Sequence, residues 1–180
     1  NAINESVGNK KIIAEDLGVK IPEVEEVLKK SGYPGMKVLE FAFDGKADNE
    51  YLPHNYPKNC VVYTGTHDNE TLAGWISSIK PAERKMLFRY LDLHTRDKKT
   101  IVYRIIRLAM CSVADYCVVP LQDYLCLDNT ARINFPSTLG GNWVWRVTKD
   151  ALTPELSEEI RALTDMYGRF RGRGRASSKG

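Results

Sequence analysis

Glu15 and Asp68 are the residues of this chain whose type and setting could do chemistry. Glu15 ends the short apolar run Lys11-Ile12-Ile13-Ala14, and Asp68 follows the run Cys60-Val61-Val62-Tyr63-Thr64-Gly65, with His67 immediately before it. A β-branched run that stops at a carboxylate reads as a buried parallel strand whose last residue emerges at the strand's C-terminal end. In a (β/α) barrel that rim is where chemistry is done. Two carboxylates delivered from two strand ends suit glycoside chemistry, in which one group protonates a leaving oxygen while others stabilise an oxocarbenium-like transition state.

The elements that must position these residues alternate. After the run ending at Glu15, Ile21, Val24, Val27 and Leu28 share one face of a segment that has Pro22 in its first turn and stops at Ser31-Gly32, so a helix is expected there. Met36 to Phe43 is expected to be a second strand, Cys60 to Gly65 a third and Tyr116 to Leu121 a fourth, with Pro120 marking an end or an edge. Lys46 to Asn59 has no period and reads as a long ordered loop for which His54 and Asn55 are scaffold. Pro81 to His94 and Lys99 to Ala114 have helical periodicity. Thr153 is expected to cap a last helix with Pro154 in its first turn and Gly168 as its stop. Four strands alternating with helices give an α/β fold with a parallel sheet.

Composition sets outer bounds. The 180 residues are 43% hydrophobic and 27% charged, with no acidic tract, which fits one ordinary globular domain. The net charge of +3 arises from a tail: Arg169, Arg171, Arg173, Arg175 and Lys179 crowd the last dozen residues, and the body without them is slightly acidic. Nucleic-acid binding is therefore expected only if that tail is functional. Cys60, Cys111, Cys117 and Cys126 lack metal-ligand spacing and read as small core hydrophobes in a reducing compartment. No apolar stretch reaches the roughly 20 residues of a membrane helix. A start at Asn1 rather than Met suggests a processed protein, an excised domain or an incomplete reading frame.

Five blocks carry a resemblance: Ile13-Ala14-Glu15-Asp16-Leu17-Gly18, Tyr33-Pro34-Gly35-Met36-Lys37-Val38-Leu39, Tyr51-Leu52-Pro53-His54-Asn55-Tyr56, Tyr63-Thr64-Gly65-Thr66-His67-Asp68-Asn69 and Gly141-Asn142-Trp143. In this order they closely resemble the 4-α-glucanotransferases (amylomaltases, disproportionating enzymes) of glycoside hydrolase family 77. The resemblance implies a (β/α)₈ TIM barrel of the α-amylase type, with residues 1–167 its C-terminal half, strands five to eight with their helices, and 168–180 a basic, disordered tail. It implies Glu15 as general acid/base, Asp68 as transition-state stabiliser, and His67 and Asn134 as substrate-binding residues. It implies no metal and no cofactor. Partners would be maltooligosaccharides and α-1,4-glucans together with the missing N-terminal half of the barrel, and the setting cytoplasmic carbohydrate metabolism. The family's nucleophile is an aspartate in an Arg-x-Asp-His strand end, a motif that these residues lack. A retaining double displacement cannot proceed without it, so the chain alone is expected to be inactive.

The segment Asn134-Phe135-Pro136-Ser137-Thr138 departs from the family's usual Asn-Thr-Pro-Gly-Thr, which bears on acceptor preference, and another acceptor-site aspartate falls on Gly45. Trp75 reads as core, and Trp143 and Trp145, in the Gly/Asn/Pro-rich loop from Leu127 to Trp145, read as core over the alternative of stacking on sugar. Two other readings stand beside the transferase: a related α-amylase-type hydrolase or phosphorylase, and a non-catalytic half-barrel interaction module.

Overall fold

The computed structural model describes residues 2–8, 10–18 and 21–169. Three short strands, β1 (Gly35–Val38), β2 (Cys60–Tyr63) and β3 (Tyr116–Val118), pair in parallel in the order β1-β2-β3, with Met36 opposite Val61 and Val61 opposite Tyr116. Around them lie α1 (Ala2–Val7), α2 (Pro22–Ser31), α3 (Leu72–Ser78), α4 (Pro81–Tyr90), α5 (Lys98–Cys111), α6 (Leu121–Tyr124) and α7 (Pro154–Met166). Parallel pairing needs long crossovers. The one from β1 to β2 is an irregular loop with two 3₁₀ turns, and the one from β2 to β3 runs through α3, α4 and α5.

All of β1 and most of β2 are buried, which is why both read as continuous apolar runs. Lys37 is the exception in β1, and its ammonium lies 2.6 Å from the Glu50 carboxylate. The core gathers Leu39, Phe43 and Leu52 from the first crossover, Val62 from β2, Leu72 and Trp75 from α3, Ile101, Ile105 and Ile106 from α5, and Leu163 from α7. Helix α5 meets this core through Val102, Ile105, Ile106 and Ala109 of the expected stripe, while its expected fifth member, Val113, lies past the helix and is exposed, and the Asp97 carboxylate caps the helix by accepting the Thr100 N–H. Helix α7 begins as expected, with Thr153 Oγ1 accepting the Leu156 N–H.

The segment ending at Glu15 is not a strand, so the described residues hold three strands rather than four. Ala14 N–H donates to the Pro34 carbonyl at 3.0 Å, but Met36 N–H, which a ladder would pair with a backbone carbonyl, donates to Asp16 Oδ1 at 2.7 Å. A side chain thus takes the place of the next rung. Gly35 allows this approach, since a Cβ there would fall 2.5 Å from Asp16 Oδ2.

The other expected strands are shorter. β1 stops at Val38, where Leu39–Phe41 coils into a 3₁₀ turn, β2 stops at Tyr63, and β3 stops at Val118 ahead of Pro120, which opens α6. The helices α4 and α5 end at Tyr90 and Cys111, before the expected His94 and Ala114. Cys60 and Trp75 are buried as expected, whereas Cys111 is exposed and Cys117 and Cys126 are half-buried. Helix α2 forms as expected yet buries no residue, leaving Val24 and Val27 exposed. His54 and Asn55 hold the long loop: the imidazole bonds Tyr90 Oη and the Ala47 carbonyl, and the Asn55 amide donates to the Ala47 and Asn49 carbonyls. Residues 170–180, most of the expected tail, lie outside the described residues. Arg169 lies within them and donates to the carbonyls of Met110, Ser112 and Ala114 at the end of α5.

Candidate active site

Beyond Tyr63 the chain leaves the sheet at Gly65 and folds Thr66 to Asn69 into a tight turn. Asn69 Oδ1 accepts from both Thr66 N–H (2.9 Å) and Thr66 Oγ1–H (2.8 Å), and Asp68 N–H donates to Thr66 Oγ1 at 3.2 Å. The turn pushes His67 and Asp68 outward, their side chains 48% and 49% exposed, with His67 Nε2 3.3 Å from Asp68 Oδ1. The sequence block Thr-His-Asp-Asn is thus a self-bonded presentation device. Its polar flanks satisfy the backbone, and its two central side chains stand half-exposed at the tip.

Glu15, exposed on its extended segment, faces the same space. Glu15, His67 and Asp68 line one open cavity of about 860 Å³ together with Tyr63, Met36, Phe41 and Gln122. A cavity with an apolar floor and a few convergent polar groups is the usual form of a small-molecule site. Burial, and then the Glu15 carboxylate, push the Tyr63 hydroxyl pKa up, so this phenol stays protonated and can donate a hydrogen bond.

The fourth expected residue arrives from a distant loop. Asn134 Nδ2 donates to Asp68 Oδ1 at 2.5 Å. Arg132 fixes that approach: its guanidinium donates to the Asp68 carbonyl at 2.6 Å and to the Asn134 carbonyl at 2.8 Å, and it stacks 4.6 Å over the Phe135 ring. Asn142 Oδ1 accepts the Phe135 N–H, and Trp143 N–H donates to the Ile133 carbonyl, closing the loop on itself. Trp143 is not core as expected. It sits at φ +64°, is 57% exposed, and lays its ring 5.0 Å from the His67 imidazole. Trp145 is half-buried in irregular chain. All four expected site residues therefore cluster, Glu15 and Asp68 across the cavity and His67 and Asn134 against Asp68.

Sequence reasoning missed Arg132, the contact of Trp143 with His67, and the acidic residues behind the turn. Asp123 is buried, accepting Thr64 Oγ1–H at 2.6 Å and Leu72 N–H at 2.8 Å, and burial pushes its pKa up to about 6. Glu40 follows β1 as Asp68 follows β2, so the strand-end rule that marks Glu15 and Asp68 applies to it as well. Among the described residues no group of three or more His, Cys, Asp or Glu is arranged to hold a metal ion.

The model of the 4-alpha-glucanotransferase family, glycoside hydrolase family 77, matches residues 1–153. The chain belongs to the 4-alpha-glucanotransferase family. It is 46% identical over 170 residues to the 4-alpha-glucanotransferase of Clostridium butyricum, an alignment covering 94% of this chain and 34% of that protein. It is 44% identical over 173 residues to the chloroplastic/amyloplastic 4-alpha-glucanotransferase of Arabidopsis thaliana, covering 94% and 30% respectively. Among solved structures, the amylomaltase from Streptococcus agalactiae in complex with acarbose matches with a TM-score of 0.85 at 34% identity, over 93% of this chain and 34% of that one. The amylomaltase from Corynebacterium glutamicum, at 16% identity and a TM-score of 0.65, shares the fold. This member of the 4-alpha-glucanotransferase family spans about a third of the length of the relatives it matches.

Proposed function

We propose that this chain is the acid/base-bearing part of a 4-α-glucanotransferase that cuts an α-1,4-glucan and passes the donor segment to the 4-position of glucose or another glucan. The observation that carries this reading is the convergence of Glu15, His67 and Asp68 on one cavity, in a chain of this family. Glu15 protonates the leaving 4-oxygen and later deprotonates the incoming one. Asp68, backed by His67, accepts hydrogen bonds from the sugar hydroxyls that strengthen as the ring flattens toward the transition state. Asn134 orders the acceptor side. The likeness to an amylomaltase that holds acarbose supports a maltooligosaccharide as occupant of the cavity.

In this reading the chain forms strands five to eight of a (β/α)₈ barrel. The extended segment 10–17 stands where the fifth strand would run once a fourth strand gave it a second partner. The nucleophilic aspartate belongs to that fourth strand, in a half of the barrel outside these 180 residues, and transfer with retention requires both halves. A cytoplasmic setting, where thiols such as Cys60 stay reduced, is part of the same reading.

The test is transfer between maltooligosaccharides by the full-length protein that contains this chain. Glu15→Gln lowers the rate by at least about a hundredfold while glucan still binds. A variant with full transfer removes the acid/base role, and full transfer by the 180 residues alone removes the divided-barrel reading. Products of water attack or a sugar phosphate, in place of longer and shorter glucans, would point to the hydrolase or phosphorylase instead.

A further inference from the structure

Glu40 is the one residue in the first turn after β1 that carries charge, and its surroundings are unusual for a carboxylate. Its N–H donates to the Thr64 carbonyl at 3.3 Å, tying it to the end of β2. Its Oε1 is enclosed without a hydrogen-bond partner among the described residues. It presses so closely on Gly65 that a Cβ there would lie 2.8 Å from Oε1 and 3.1 Å from Asn69 Cβ. Asn69 completes the connection. Its Oδ1 is taken by Thr66, and its Cβ and the Glu40 Oε1 crowd the same face of Gly65. Glu40 is therefore packed against the base of the turn, whose own hydrogen bonds run from Asn69 through Thr66 to the backbone of Asp68.

We propose that Glu40 is a positioning residue for the turn that presents His67 and Asp68, packed beneath it against Gly65 and Asn69. The charged groups that face Glu40 are Asp123 from α6, Glu70 from the end of the turn and Arg132 from the far loop. Three carboxyls share one guanidinium, which is itself committed to the Asp68 and Asn134 carbonyls. An enclosed oxygen with no donor costs far less neutral than charged. Burial first, then Asp123 and Glu70, hold the Glu40 carboxyl well above the usual carboxylate range, opposed by Asn69 and Arg132. Ionisation at high pH would draw Arg132 off the Asp68 carbonyl and load the turn with like charge. Loss of the Glu40 proton thereby disorders the site without touching a substrate.

This inference rests on the proposed transferase reading for its activity test, so a second readout is independent of substrate. In the full-length protein, Glu40→Gln keeps the Asn69 contact without a titrating group. Near pH 6 it retains kcat within about threefold, and it loses the decline that the parent protein shows on the alkaline side. Glu40→Leu breaks the contact and lowers kcat about tenfold or more, with KM little changed, because the affected turn acts on the transition state. In difference infrared spectra at neutral pH, the carbonyl band of a protonated carboxylic acid disappears in Glu40→Gln and persists in Asp123→Asn. A band unchanged in Glu40→Gln, an alkaline limb unchanged in that variant, or a Glu40→Gln rate as low as that of Glu40→Leu would each overturn the proposal. A parent protein without transfer activity would sink the transferase reading, and the infrared band would still decide the state of Glu40.

Discussion

Asp68 is gripped from three directions: by its own turn through Thr66, by the Asn134 amide on its carboxylate and by Arg132 on its carbonyl. Such a carboxylate is preorganised, and its acceptor lone pairs are already aimed before a sugar arrives. Replacing Asp68 by Asn in the full-length protein is expected to lower transfer at least about a hundredfold, since the lost charge matters most when positive charge develops on the sugar. Its half-exposed side chain carries no core packing, so the thermal midpoint should move by no more than a degree or two, as surface changes do. A rate within threefold of the parent's would remove Asp68 from the mechanism. At this scale the sequence was informative where chemistry and local bonding coincide. Glu15, His67, Asp68 and Asn134 were all visible, and the structure brings them together. Trp143 was read as core, whereas Gly140 and Gly141, both at positive φ, and Trp143 itself turn the loop so that its indole stays exposed against His67. Arg132 was invisible because its partners are backbone carbonyls, one of them 64 residues away.

Among the elements, those that were legible are the ones whose caps and periodicity agree. Helices α2, α5 and α7 follow their apolar stripes and their Pro or capping starts, and α7 keeps Thr153 as its cap. Helix α3 was missed because five of its seven residues are buried, so it has no polar face to set a period. The first expected strand fails for a different reason: strand character is a property of a pair, and residues 10–17 meet the segment around β1 by one backbone bond and one side-chain bond, with only the Lys11 ammonium reaching Tyr116 of β3. Asp16 is then the residue that fixes where Glu15 stands. Asp16→Ala would leave the Met36 N–H unpaired and cost about 1–3 kcal/mol. It would also let the Glu15 segment drift, so catalysis should fall more than stability. Urea unfolding and transfer rates measured on the same variant check this, and a Glu15 segment that works normally without Asp16 would show that the clamp is dispensable.

At the scale of the whole molecule, the acidic residues differ by depth: Asp97 and Asp128 on the surface cap turns of helix, whereas Asp123, behind the active turn, is buried against Thr64 and Leu72. Asp97 and Asp128 are exposed, and hydrogen bonds from Thr100 and Thr130 respectively hold them below the usual carboxylate range. Asp123 is 2% exposed, and burial carries its pKa from 3.8 to about 6. The sign of the linkage follows from that upward displacement. A carboxyl that binds its proton more tightly folded than unfolded adds stability at pH below about 4, and that contribution is lost as pH rises through about 6. A displacement of this size amounts to roughly 3 kcal/mol between the two ends of the window. Asparagine at this position keeps both bonds, its oxygen accepting the Leu72 N–H and its amide donating to Thr64 Oγ1, and it removes the titration. Asp123→Asn should therefore gain stability over the parent as pH rises, with the difference between pH 4 and pH 8 approaching that figure in urea unfolding of the full-length protein. Equal differences at both pH values would mean that Asp123 titrates alike in the folded and unfolded states, and that the ground behind the active turn tolerates a buried charge as readily as water does.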